Sequence, residues 1–216
     1  MASGTVIIDP GHGGTHNVGG SDANHAVSPS GFLEKNMTLR QSLEVRDALN
    51  AAAAAGGHTI KVIMTRDTDR NLSLRDRAGF ARTHSADRFL SIHYNGFNKV
   101  SRGTETYVRH PSDNTNLAAD RRFAQRIQTA VFSTIRAHDP GADDRGVKEA
   151  RFGVLSDVSL GNTGGVRRCR ACLLEIEFID VKAVDQLLNL STNAAAVRAD
   201  IAAAIARAII DDLQNP

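Results

Sequence analysis

Four short segments of this 216-residue chain bring together residue types that could carry out hydrolysis. The first is Asp9-Pro10-Gly11-His12-Gly13-Gly14, directly after the apolar run Thr5-Val6-Ile7-Ile8. Glycines on both sides of a histidine let the backbone turn sharply and present the imidazole. The second is Glu34 with Lys35 and Asn36, at the start of a helical pattern. The third is Ser91-Ile92-His93-Tyr94-Asn95, where His93 ends an apolar stretch, and the fourth is Leu173-Leu174-Glu175-Ile176-Glu177-Phe178, which sets carboxylates in an otherwise apolar sequence. Two imidazoles and one carboxylate are a known ligand set for catalytic zinc, which keeps one position open for water. A further carboxylate outside the metal shell is then needed as general base.

Each segment also has a plain structural reading, and no compact metal motif such as H-E-x-x-H is present. Asp-Pro-Gly-His suits an ordinary turn. A histidine ending a strand can be a hydrogen-bonded structural residue, and a glutamate opening a helix can serve the helix dipole. A glutamate inside an apolar strand is the hardest to explain this way, since burying it unpaired costs several kcal/mol.

The elements that must position these residues alternate between strands and amphipathic helices. That pattern predicts an α/β fold, a single domain over residues 1–216 with a mostly parallel central sheet flanked by helices. Strands are predicted at 5–8, 59–64, 89–93, 104–108, 152–155 and 172–178, from β-branched and apolar runs bounded by turn residues. Helices are predicted at 34–54, 74–83, 117–137 and 194–213, with Ser73 and Thr115 as N-caps. Two stretches read as long loops, 13–31 and 141–146 with its neighbours. In such a sheet the candidate residues lie where strands end and helices begin, the edge at which open α/β sheets place ligands.

Composition sets limits on partners. Hydrophobic residues make up 41% and charged residues 23%, ordinary values for a globular protein. A formal net charge of +2, with no basic arm interleaved with aromatics, argues against nucleic acid as a partner. No apolar run approaches the roughly 20 residues of a membrane span. The N-terminus enters the first strand almost at once and lacks a secretory-signal pattern. Trp is absent, which argues against an attached carbohydrate-stacking module.

The order of these segments resembles the zinc-dependent N-acetylmuramoyl-L-alanine amidases of the Amidase_3 family over nearly the whole chain. The Asp-Pro-Gly-His-Gly-Gly opening is similar to that family's first ligand motif, and Glu34 with Lys35 and Asn36 to its helix-opening glutamate. Residues 91–95 resemble its Ser-Ile-His-x-Asn motif, and Leu174-Glu175 with Phe178 its Val-Glu-x-x-Phe strand. Met64-Thr65-Arg66 with Asp69, the stretch 74–77, Gly103-Thr104-Glu105-Thr106-Tyr107 and Arg145-Gly146-Val147-Lys148 also stand in the family's order. The resemblance implies a Zn2+ ion held by His12, Glu34 and His93, with Glu175 as the catalytic carboxylate. It further implies peptidoglycan as the substrate and cleavage of the bond between N-acetylmuramic acid and L-alanine. The expected enzyme is a monomer acting on the cell wall from the periplasm, after secretion or by phage delivery. A zinc peptidase cutting within the stem peptide is the alternative enzyme, and a wall-binding module without catalysis the alternative of another class.

The chain departs from the family pattern in places. Glu177 stands where a small residue is usual, and Asp180-Val181 replaces the usual Ser/Thr-Asn. Alternation along a strand puts Glu177 on the face of Glu175. There it either raises the pKa of Glu175 or pairs with an arginine of the preceding loop. That loop carries Arg167, Arg168 and Arg170, which either contact peptidoglycan or form a solvated charged tip. Cys169 and Cys172 are read as two thiols or a local disulfide. His16 and His25 read as loop residues near the metal, with contact to substrate as the alternative. His58, His84, His110 and His138 read as loop or surface residues. Some family members carry a long helical insertion after the Gly-x-x-x-Tyr strand that blocks the zinc site. Here a short polar loop follows Tyr107, so activity without an activator protein is expected.

Overall fold

The computed structural model describes residues 1–163 and 169–215. Six strands, β1 (Ser3–Pro10), β2 (Thr59–Met64), β3 (Arg88–Asn95), β4 (Thr104–Arg109), β5 (Asp144–Ala150) and β6 (Arg170–Phe178), form one sheet in the order β2-β1-β3-β6-β4-β5. Every neighbouring pair is parallel except β4 with β6. Helices α1 (Glu34–Ala55), α2 (Leu74–Thr83), α3 (Leu117–His138), α4 (Asp157–Leu160), α5 (Lys182–Asp185) and α6 (Ala194–Gln214) complete the fold.

Both faces of the central strands are covered, which is why they read as continuous apolar runs. Val6, Ile8, Leu90, Ile92 and Leu174 belong to the large core under α1, α3 and α6. Their neighbours along the strands, Ile7, Phe89 and Leu173, belong to a second core that includes Ala78 and Ala81 of α2. The Ala-rich α6 packs against both α1 and α3, where small side chains let helices approach closely.

The structure differs from the predicted elements in three places. Residues 152–155 do not form a strand, because Gly153–Leu155 is a single 3-10 turn. The fifth strand lies earlier, over Asp144–Ala150, in sequence read partly as loop. An edge strand of Asp, Arg, Gly, Lys and Glu has no apolar run to betray it. Thr115 is not the cap of α3, which starts after Asn116. Its N–H and hydroxyl instead donate to Asp157 Oδ2. Ser73 caps α2 as expected, accepting from the Asp76 N–H at 3.0 Å.

Candidate metal centre

Glu34, at the start of α1, is 1% exposed, and its carboxylate lies between two imidazoles. Oε1 is 3.1 Å from His12 Nε2 and 3.2 Å from His93 Nδ1. The two rings meet edge to face with centroids 4.9 Å apart. Three elements supply this trio: the turn after β1, the first residue of α1, and the end of β3.

The turn is held by buried charge. Asp9 is fully buried, accepting from Thr65 Oγ1 at 2.5 Å, Arg77 Nη1 at 2.9 Å and Ser91 Oγ at 2.7 Å. Arg77 also donates to the carbonyls of Pro10 and His12, and Arg66 to those of Pro10, Gly11 and Lys35. These bonds consume carbonyls that a sharp turn leaves without ladder partners. They also hold His12 at φ +59°, a left-handed conformation disfavoured for a side chain. Gly11 is required for space, because a Cβ there would lie 2.2 Å from Cε1 of the His93 ring. Lys35 bridges the Gly14 carbonyl and Asp69, tying the glycine turn to the loop after β2.

Charge and burial compete at each ligand. Burial drives the Glu34 carboxyl up, but hydrogen bonds from His12 and His93 outweigh it and hold the group well below the usual carboxylate range. Burial likewise lowers His12, yet Glu34 beside it leaves the net shift upward. Burial prevails at His93, which is lowered.

The residues present fit a small divalent cation. The three ligand atoms lie within 4.8 Å of one another. Tetrahedral zinc with N and O ligands at about 2.0–2.1 Å spaces those atoms by roughly 3.3 Å, close to the two distances from Glu34. His12 Nδ1 lies 2.9 Å from the Asp22 carbonyl, a bond that leaves Nε2 as the metal-facing lone pair. Among the described residues no other group of His, Cys, Asp and Glu gathers in this way.

Glu175 lines the same cavity of about 340 Å³ as His12, Glu34 and His93, with Asp22, His25, Asn95 and Tyr107. It is the Cα partner of His93 across the β3–β6 ladder. Burial, then the charges of Glu34 and Glu105, push its carboxyl well above the ordinary range. Its Oε2 is buried without a hydrogen-bond partner among the described residues. Of the two loop histidines His25 lies on this cavity, stacked over His12 with centroids 6.3 Å apart, while His16 is not among the residues that line it.

Glu177 does not sit beside Glu175 as alternation predicts. A bulge between Glu175 and Phe178, opposite His93 and Asn95, breaks the two-residue period. Glu177 is fully buried, accepts from the N–H groups of Gly103 and Phe178, and pairs with Arg102. The arginine partner therefore comes from the β3–β4 connection, not from the loop before β6. Of that loop, Arg167 and Arg168 lie outside the described residues. Arg170 is buried at the start of β6, against Asp212, at the far end of the strand from Glu175. Cys169 and Cys172 are buried thiols. The carboxylate next to Glu175 is Glu105, its Cα partner on β4. Sequence reading passed over Glu105, although it stood within a segment already set in the family's order.

The sequence over residues 6–209 matches the family described as Amidase_3, N-acetylmuramoyl-L-alanine amidase. The chain is 35% identical over 153 residues to the N-acetylmuramoyl-L-alanine amidase LytC of Bacillus subtilis (strain 168), covering 70% of this chain and 26% of LytC. With the N-acetylmuramoyl-L-alanine amidase CwlM of Bacillus licheniformis it shares 29% identity over 223 residues, 96% of this chain and 78% of that protein. Against LytC and two other Bacillus relatives, the chain spans 26 to 63% of their length. The fold is similar to a crystal structure of N-acetylmuramoyl-L-alanine amidase from Clostridium difficile 630, with TM-score 0.76, 26% identity and coverage of 99% and 98% of the two chains. With the family matched across almost its whole length, the chain belongs to the Amidase_3 family of N-acetylmuramoyl-L-alanine amidases.

Proposed function

We propose that this chain hydrolyses the amide bond between N-acetylmuramic acid and L-alanine in peptidoglycan, using Zn2+ held by His12, Glu34 and His93. The observation that carries the reading is the placement of Glu175. An unpartnered buried carboxyl oxygen shares one cavity with a His–Glu–His trio, on the strand adjacent to His93. When bound, zinc supplies a Lewis acid that lowers the pKa of water and stabilises negative charge on the scissile carbonyl oxygen. Glu175 takes the proton from the attacking water and delivers it to the leaving L-alanine nitrogen. Its raised pKa suits that double task, because a carboxyl nearer neutrality both accepts and returns a proton. The cavity's apolar side, with Leu74, Val154 and Leu173, excludes water from the reacting bond. The setting proposed for this activity is the cell wall, reached through the periplasm, by secretion or by phage delivery. No helix among the described residues is long and apolar enough to cross a membrane.

Mass spectrometry of digested peptidoglycan tests the reaction. Release of intact stem peptides with a free L-alanine amine is expected. Fragments cut inside the stem peptide would replace the proposal with the peptidase alternative. Metal analysis of the purified protein tests the cofactor, with about one zinc per chain expected and activity lost on chelation.

A further inference from the structure

Across the sheet from Glu175, the next strands carry a charged cluster that the chemistry above does not use. Glu105 is 3% exposed and accepts four hydrogen bonds. Asn95 Nδ2 and the Tyr107 hydroxyl donate to Oε1 at 2.6 and 2.9 Å. Arg145 Nε at 2.6 Å and Lys148 Nζ both donate to Oε2. Two cations thus share one carboxylate, leaving a formal surplus of one positive charge.

Regular alternation would put Arg145 and Lys148, three residues apart, on opposite faces of β5. A bulge prevents this: Thr104 pairs with Asp144 but Thr106 with Val147, and Gly146 between them takes φ +73°. Both cations reach the same oxygen as a result. Val147 packs into the core on the α3 side, while Lys148 pairs with Tyr107, which lines the catalytic cavity. The Lys148 ammonium lies 5.9 Å from the Tyr107 ring centroid. Each cation is 35% exposed, although β5 is an edge strand with nothing beyond it in the sheet. Arg145 engages Glu105 through Nε, and its Nη groups bond to no other described residue.

We propose that Arg145 and Lys148, anchored by Glu105, bind a free carboxylate of the stem peptide on the leaving side of the scissile amide. The inference rests on the amidase reading and names what recognises the peptide half of that substrate. Strand spacing sets the scale: the backbone of β5 lies two steps of about 4.8 Å from β6, but both side chains lean one strand inward onto Glu105, and Arg145 lies over the Phe178 ring of β6, so the cationic ends stand roughly 5–10 Å across from Glu175. A peptide extends by about 3.3–3.6 Å per residue, so a carboxylate one or two residues beyond L-alanine reaches that distance. Glu105 is a positioning residue here, fixing the two cations and, through Asn95 and Tyr107, the cavity wall beside them.

The test compares two muramoyl peptides that differ only in the residue after L-alanine, one with a free carboxylate and one with its primary amide. Wild-type enzyme, Lys148→Met, Arg145→Gln and the distant surface variant Arg207→Gln are assayed, with zinc content confirming the site in each. For the acid substrate, KM is expected to rise about tenfold in Lys148→Met and Arg145→Gln with kcat little changed, the size of one charge-assisted contact at a partly exposed site. The amide substrate should show no such rise, and Arg207→Gln should match wild type on both. Equal KM values of wild type for acid and amide would overturn the subsite. So would variants that raise both KM values together. If wild type cleaved neither muramoyl bond, the amidase reading itself would fall, an outcome distinct from equal use of both substrates.

Discussion

At the scale of residues, the site works through opposed burial and charge on a few atoms. The Glu34 carboxyl is held low because two imidazoles hydrogen-bond to one of its oxygens, while that of Glu175 is pushed up, by burial first and then by its carboxylate neighbours. The two glutamates should therefore respond differently to neutral replacement. Glu175→Gln is expected to keep stoichiometric zinc and lose about 10²–10⁴-fold in turnover, since an amide cannot take the water's proton. Loss of zinc in that variant would make Glu175 a ligand instead. His12→Ala and His93→Ala are expected to lose zinc and activity together, and normal metal content in either would remove that residue from the set. The four residues that share the cavity had been singled out in the sequence, each at a recognisable turn, helix start or apolar strand, and the resemblance to the family, not their spacing, suggested their roles. Asp9, Arg66, Arg77 and Glu105 were not assigned roles, because each acts by gripping segments up to 82 positions away. Arg77 bonding the His12 carbonyl at 2.6 Å is such a contact.

At the scale of elements, the decisive join is between the β1 turn and the end of β3. Gly11 has His93 packed where a side chain would be. Gly11→Ala is thus expected to displace the imidazole and weaken zinc binding by about 10–100-fold, as misoriented ligands do. Its thermal unfolding midpoint without metal should stay within a few degrees of wild type, measured beside a zinc titration. Unaltered affinity would mean that the ring tolerates the methyl group and that Gly11 serves only the turn. Element types followed from sequence wherever burial on one or two faces wrote a period into the chain. Strands β1, β2, β3, β4 and β6, and helices α1, α2, α3 and α6, all fall within a few residues of their predicted bounds. The failures were β5 and the segment 152–155. There, pairing to a neighbour and not local composition decides the conformation. Glu177 failed for a related reason, as a one-residue bulge undoes alternation without any sign in the residues themselves.

For the whole molecule, two predictions concern behaviour away from the metal. Asp120, in the first turn of α3, accepts from Asn114, Asn116 and the Ala171 N–H, yet burial, with Asp157 adding, raises its pKa to about 7. A folded value above the unfolded 3.8 means that the native state holds the proton longer. Its stabilising contribution is full below about pH 4, declines as pH rises through about 7, and is then constant. Urea unfolding at pH 4.5 and 7.5 should show that decline in wild type and a smaller one in Asp120→Asn. An unchanged pH slope would shift the effect to other groups. The link from β4 to α3 contains only the turn Pro111–Asp113, and no helix there covers the cavity. Purified zinc-loaded protein is therefore expected to digest peptidoglycan without an added partner, and inertness until one is supplied would contradict this. The order in which the site's parts occur along the chain has its own consequence. All three proposed metal ligands belong to the first 93 residues, in the turn after β1, at the start of α1 and near the end of β3, whereas Glu175 is on β6. During synthesis the chain can gather its ligands before the base has been made. About 80 further residues, at roughly 5–20 per second, separate the two events by about 4–16 s. On the proposed assignment, a nascent chain in that interval carries its three ligands and lacks the group that would cut a wall.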